Sequence, residues 1–219
     1  EITDTDGSDI YLVDSGRARI TDTGTGNDTV FAWCSYALSD GLEVLSLRGS
    51  NDLNGFGTAQ ANTLIGNSGA NRLLGGGGAD RMNGGEGDDV LRGGAGDDVL
   101  SGDEGADDLT GGAGRDQFVF ADLSDLEASA ATADTITDFT KGMDQIDISG
   151  IDANSTTSTT ADPFSFLGTA AFTLHAAEAR YTLTAGQTQL ELDVDGDGVA
   201  DAVILIAGTV ALTASDFIL

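Results

Sequence analysis

The chain has 219 residues, 40% of them apolar and only 6% aromatic, and its 37 Asp and Glu against 9 Lys and Arg give a formal net charge of −28. That balance excludes a nucleic-acid or anionic-membrane partner held by charge, and the lone Cys34 excludes an intrachain disulfide. No segment is apolar enough to span a membrane, no leader peptide is visible, and a first residue of Glu rather than Met predicts a fragment of a longer protein.

Residues 1–47 read as short strands, DIYLVD, RARITD, NDTVFAW and LEVLSL, separated by the turn signals DG, SG, TGTGN and SDG. The span 1–56 is expected to be a β-rich N-terminal cap, because the end of a stacked-repeat fold needs covering. Phe31, Trp33 and Tyr36 are read as core, with a binding face as the alternative; Asp6, Asp9, Asp22 and Asp28 are read as solvated loop acids rather than ligands.

From Gly57 to Phe120 the chain repeats every nine residues. Five strict blocks begin at Gly75, Gly84, Gly93, Gly102 and Gly111, and weaker ones at Gly57 and Gly66. The sixth position runs Asn62, Asn71, Asp80, Asp89, Asp98, Asp107, Asp116, and the eighth runs Leu64, Leu73, Met82, Leu91, Leu100, Leu109, Phe118. A flexible Gly-rich linker would not hold Asp and Leu in phase, and collagen would need Gly at every third residue with much Pro, where this chain has one Pro. A nonapeptide period of this form is the established signature of a calcium-binding parallel β-helix.

The chemistry follows from the spacing. Each block divides into a six-residue turn and a three-residue strand with one inward apolar side chain. The glycines let the turn take positive φ and crowd its carbonyls together. Stacking such turns places Asp on Asp at a strand spacing of about 4.8 Å, which is repulsive unless a cation lies between them. Ca²⁺ takes roughly 6–8 hard oxygens, backbone and carboxylate. Two blocks close one coil, so blocks two apart stack. Asp80, Asp98 and Asp116 then share one edge and Asp89 and Asp107 the other. Three clean sites are expected, 80/98, 98/116 and 89/107, with Gly76, Gly78, Gly85, Gly87, Gly94, Gly96, Gly105, Gly112 and Gly114 supplying carbonyls. Pairs containing Asn62 or Asn71 should be weaker, since an amide brings an oxygen and no charge. Asp103 replaces the second Gly of its block, and that turn is expected to be distorted. Arg48, Arg72, Arg81 and Arg92 are read as charge balance, with a polyanion groove as the alternative; Arg72 and Arg81 should fall on opposite sheets.

Residues 121–219 are expected to be a C-terminal β-rich cap. The Ala-rich EASAATA with Leu123 and Leu126 predicts a short helix, DTITDF and DQIDIS two strands, and DANSTTSTTADP a polar loop. Asp134 and Asp138 are weaker metal candidates. Strands ARYTLTA, TQLELDV and DAVILIAG follow. Between the last two, Asp193, Asp195, Asp197 and Asp201 resemble the first half of an EF-hand loop, but Ile204 stands where that loop needs a bidentate Glu, so an acidic hairpin is the alternative. His175 is the one histidine. Without HExxH or GxSxG there is no protease or hydrolase motif here, and a catalytic domain would lie upstream of Glu1.

The repeats resemble the RTX family of hemolysin-type calcium-binding repeats. The sequence GGAGRDQFVF, then DTITDFTKGMDQIDISGID, DVDGDGVADAVILIAG and a terminal ASDFIL, is similar to the C-terminal module of serralysin-type metalloproteases, with like tails on secreted lipases and mannuronan C5-epimerases. The resemblance implies an all-β, right-handed parallel β-roll that binds Ca²⁺ in its turns. It also implies a secreted, extracellular protein of a Gram-negative cell, exported by type I secretion machinery that reads the terminal Asp216–Leu219 segment. The expected partners are that machinery and an attached enzyme or toxin domain, with a polysaccharide as the alternative partner; a monomer is expected.

Overall fold

The structure, a computed structural model, describes residues 2–4, 7–153 and 162–219; Asp6 and the polar run at 154–161 lie outside the described residues. Each strict block contributes one strand. The strand of the fifth strict block, Gln117–Val119, has the expected three residues, while those of the Gly66 block and the first four strict blocks, Arg72–Gly77, Arg81–Glu86, Val90–Ala95, Val99–Glu104 and Asp108–Ala113, have six. These five are longer than expected because the ladder continues through the glycines of the next block, as in Gly76↔Gly94 and Ala95↔Ala113.

Successive blocks alternate between two sheets, and blocks two apart pair in parallel, Arg81 against Val99 and Leu91 against Leu109. The result is a parallel β-solenoid. One sheet has nine strands, in the spatial order Ile10–Val13, Thr29–Ala32, Val44–Leu47, Thr63–Ile65, Arg81–Glu86, Val99–Glu104, Gln117–Val119, Gln145–Asp147, Phe217–Ile218. The other has ten. It runs in parallel from Tyr36–Ala37 to Ala202–Ala207, continues antiparallel through Gln187–Asp193 and Glu178–Thr184, and ends on Ser165–Phe166, parallel to its neighbour. The strands of the first 56 residues lie in these same sheets, apart from Ile2–Asp4 and Ile20–Asp22, which pair with each other.

The eighth-position residues close the interior. Leu64, Leu73, Met82, Leu91, Leu100, Leu109 and Phe118 are all buried, and Ile136 and Ile146 continue the two columns into the C-terminal region. Each contributes about 1.5–3 kcal/mol of burial. Alternation along Thr29–Ala32 decides the fate of the aromatics. Val30 and Ala32 take the inward places, so Phe31 is half-buried and Trp33 is 50% exposed, contrary to a core reading, while Tyr36 is buried.

The helix expected at 121–133 is only a 3-10 turn, Leu123–Asp125, capped by Asp122. The rest is claimed by tertiary pairing: Glu127 forms an antiparallel bridge with Val203, and Ala133 packs on Val203 and Leu205. The terminal Phe217–Ile218 lies against Gln145–Asp147, with its Phe217 ring 4.9 Å from that of Phe166.

Candidate metal centre

The sixth-position residues form two ladders along the edges of the solenoid. Every rung has the same bond: the backbone N–H of one residue donates to Oδ1 of the acid one coil later. On one edge Asn62 donates to Asp80 (2.7 Å), Asp80 to Asp98 (2.8 Å), Asp98 to Asp116 (3.0 Å) and Asp116 to Asp144 (3.1 Å). On the other, Asn71 donates to Asp89 (2.5 Å), Asp89 to Asp107 (2.7 Å) and Asp107 to Asp134 (2.8 Å).

The second carboxylate oxygen is different. Oδ2 of Asp80, Asp89, Asp98, Asp107, Asp116 and Asp134 is buried and has no hydrogen-bond partner. Each of the five repeat oxygens is tucked against the first Gly of its own block: a Cβ on Gly93 would stand 2.2 Å from Oδ2 of Asp98. Carbonyls crowd the same turns. The oxygens of Gly76 and Gly78 lie where Cβ atoms on Gly94 and Gly96 would be, 2.3 and 1.9 Å away. A buried, unpartnered carboxylate oxygen is costly, and here it recurs once per rung.

The asparagine rungs show what a satisfied turn looks like. Asn71 accepts from the Asn67 N–H at 2.9 Å, and its amide nitrogen donates to Asn67 Oδ1 and to the Gly69 carbonyl. Asn62 accepts from the Thr58 N–H and donates to Leu42 O. The Asn71 amide thus closes its own turn with its own protons, and that of Asn62 ties its turn to the preceding coil; an ionised carboxylate has no proton to give.

Burial is the main cause of the raised pKa values, with neighbouring acids on and beside the ladders adding to it. Asp80 and Asp116 are pushed up to about 6, Asp107 to about 7, and Asp89 and Asp134 to about 8; Asp98 and Asp144 are also raised. The accepted backbone N–H bonds pull the other way without cancelling the effect. Such sites favour either a proton or a cation beside the carboxylate.

The turn at Asp103 keeps its place in the ladder although a residue with a Cβ stands in the left-handed region. Asp103 takes φ +64°, keeps its register opposite Gly85, and its carboxylate accepts from Asn83 Nδ2 and Ser101 Oγ. In the C-terminal region, Asp138 accepts from the N–H groups of Gly111 and Gly112, so its oxygens are occupied. Asp144, which sequence reasoning missed, is signalled only by its place in GMDQID; it accepts from Asp116 and Thr140.

Asp9, Asp22 and Asp28 are not solvated loop residues. Asp28 and Asp22 are buried, and oxygens of Asp9, Asp22 and Asp28 lie within 4.8 Å of one another. They continue the rung pattern: Asp9 N–H donates to Asp28 and Asp28 N–H to Glu43. Asp193, Asp195 and Asp197 form a second such cluster, in which Asp193 accepts from Gly196 and Gly198 and Asp201 from Val194 and Asp195. His175 is exposed and bonded to Thr173. Arg72 and Arg92 lie on the ten-stranded sheet and Arg81 on the nine-stranded one, where it lines a groove of about 610 Å³ with Ile65, Asn83, Val99 and Ser101.

The family described as Peptidase M10 serralysin C terminal matches residues 20–219. Among curated proteins, the metallopeptidase AprA of Pseudomonas marginalis is 40% identical over 98 residues, which is 44% of this chain and 18% of that protein. The metalloprotease AprA of Pseudomonas entomophila (strain L48) is 37% identical over 98 residues, 44% of this chain and 19% of that protein. The match thus spans under a fifth of these relatives' length. Two solved structures are similar: the AlgE6R3 subunit of the Azotobacter vinelandii mannuronan C5-epimerase (26% identity, TM-score 0.39, covering 78% of this chain and 80% of that one) and the AlgE6R2 subunit (29%, 0.40, 80% and 91%).

Proposed function

The chain belongs to the serralysin C-terminal family of M10 peptidases, and from that footing we propose that it is a calcium-completed folding module that accompanies a secreted enzyme or toxin through type I export. The observation that carries the proposal is the row of buried Oδ2 atoms without partners on Asp80, Asp89, Asp98, Asp107, Asp116 and Asp134. Hard oxygens in this density fit calcium. Bound there, calcium supplies the positive charge that these carboxylates lack.

The chain's own residues do the rest. Oδ1 of each acid fixes the spacing between coils by holding the preceding N–H. Oδ2, with the carbonyls of Gly76, Gly78 and their equivalents, offers the free donors. Three clean sites follow, 80/98, 98/116 and 89/107, and Asp134 extends the second edge. Asn71 is the weakest donor, because both ends of its amide are engaged. Asp103 would contribute through its main chain. Asp193, Asp195, Asp197 and Asp201 are proposed as a separate site at the hairpin.

None of these sites exists in the unfolded chain, so binding free energy becomes folding free energy. With −28 charges to restrain, the chain stays open where calcium is scarce and closes where it is plentiful. That behaviour suits passage through a narrow exporter followed by folding outside a Gram-negative cell. The catalytic unit is proposed to lie outside these residues, as the matched part of each AprA relative is under a fifth of that protein.

The test is circular dichroism and calorimetry at pH 8, in chelator and then in calcium. A β spectrum that develops only on calcium addition, with saturable uptake of several ions, is expected. A full β spectrum in chelator, or no uptake, overturns the reading.

A further inference from the structure

A second feature of the surface has nothing to do with the ladders. Asp14, Trp33 and Arg48 follow the paired residues Val13, Ala32 and Leu47, and the bonds Trp33 N–H to Val13 O and Arg48 N–H to Ala32 O continue the ladder between them. The three therefore stand side by side on adjacent strands, about 4.8 Å apart. All three are on the outer side of the nine-stranded sheet, Trp33 half exposed and its two neighbours exposed. Behind this row the same face is apolar: Leu12 and Ile10 are 69% and 68% exposed, and the Arg48 guanidinium lies 4.2 Å over the Phe31 ring. Ile10–Val13 is the end strand of its sheet, so among the described residues no further strand of that sheet flanks the patch beyond Asp14.

We propose that Trp33, flanked by Asp14 and Arg48, is a glycan-binding platform that takes one pyranose ring of a polysaccharide. A flat indole offers an apolar face to the C–H face of a sugar. On its two sides stand an acceptor, the Asp14 carboxylate, and a fork of donors, the Arg48 guanidinium, spaced to meet hydroxyls at the ring's rim. Stacking on Phe31 holds the guanidinium in place.

The flanking charges decide between this ligand and a protein partner. Among the described residues the ion pairs are Arg115–Asp97 and Arg180–Glu191; Asp14 and Arg48 enter neither. A protein laid over this patch would strip water from the Asp14 carboxylate at the centre of the contact, where acidic side chains are depleted. A sugar covers the indole and bonds the charges instead. In a chain of net charge −28, an unpaired guanidinium beside the platform also favours rings that carry a carboxylate. No ladder acid takes part, so the inference stands apart from the metal reading.

Trp33 is the only tryptophan, so its emission reports the site directly. The whole chain, in excess calcium, is titrated with cellohexaose and separately with hexagalacturonate, following emission and heat. A saturable change with Kd on the order of 0.1 mM is expected in at least one arm. Binding in the uronic arm alone assigns the carboxylate to Arg48; binding in both assigns recognition to the hydroxyls. Trp33→Ala should abolish the heat and Arg48→Ala weaken it at least about tenfold, with circular dichroism unchanged. No binding of either sugar at about 10 mM, or heat that survives Trp33→Ala, overturns the proposal. So does a concentration-dependent dimer that Trp33→Ala dissolves, which would give the patch to a second copy.

Discussion

The backbone N–H of Asp80 donates to Oδ1 of Asp98 across one coil, at 2.8 Å, while Oδ2 of Asp98 is buried with no partner. One side chain thus performs two tasks with its two oxygens. One sets the coil spacing, and the other waits for a positive charge. The two tasks can be separated by mutation.

Asp98→Asn keeps an acceptor for Asp80 and removes the charge. Asp98 belongs to two of the three clean pairs, so calorimetry should show fewer ions bound and a higher calcium concentration at the folding midpoint. Each lost site removes about 2.7 kcal/mol when free calcium is about 100 times Kd. Asp97→Asn is the control. Asp97 is exposed and pairs only with the exposed Arg115, so its loss should stay within about 0.5 kcal/mol. Equal effects of the two substitutions would refute the division of labour.

The glycines make a sharper test. Gly96 sits at φ +134°, and a Cβ there would stand 1.9 Å from the Gly78 carbonyl oxygen. Gly96→Ala should therefore push apart the two turns whose carbonyls line the proposed site, with loss of calcium-dependent folding. Gly142 has φ +78° but nothing within 4 Å. Gly142→Ala should cost only the left-handed strain, about 1–2 kcal/mol. Thermal unfolding in calcium reads both.

The raised pKa values set the behaviour without metal. Unfolded Asp titrates near 3.9, whereas Asp80 and Asp116 titrate at about 6, Asp107 at about 7 and Asp89 and Asp134 at about 8 in the fold. The folded state then binds more protons than the unfolded one between those limits. Its contribution to stability is fully present below about pH 4 and disappears as pH rises through 6 to 8. In chelator, the β signal and Tm should be higher at pH 5 than at pH 8. In calcium the order should reverse, because protons compete for the same oxygens.

Asp134 tests the reach of the ladder beyond the repeat. It lies 27 residues after Asp107 and accepts its N–H at 2.8 Å. Asp134→Ala leaves that buried donor unsatisfied, at a cost of about 1–3 kcal/mol, and removes an unpartnered oxygen. Guanidinium unfolding in calcium should show the loss. A variant as stable as the parent would separate Asp134 from the ladder.

How much of this was legible beforehand depends on the residue. Asp80, Asp98 and Asp116, and Asp89 and Asp107, fall into place by counting nines, and the structure stacks them in those pairs. Leu73, Leu91 and Leu109 are inward for the same reason. Asp144 and Glu43 could not be found by counting, since the spacing that brings each to its partner is 28 and 15 residues. The short helix at the Ala-rich run failed because Glu127 and Ala133 are held by Val203, some seventy residues away.

The sequence by itself determined the period, and with it the alternation of two sheets, the buried apolar columns and the acid on every rung. Those follow from local geometry, because a glycine turn and a pleated strand fix where each of nine residues points. Only the tertiary structure decided that the acid ladder runs on into segments with no repeat, and that Trp33 faces out beside Arg48. Both depend on which strand pairs with which, and a hydrogen bond between distant strands leaves no periodic mark in the chain that makes it.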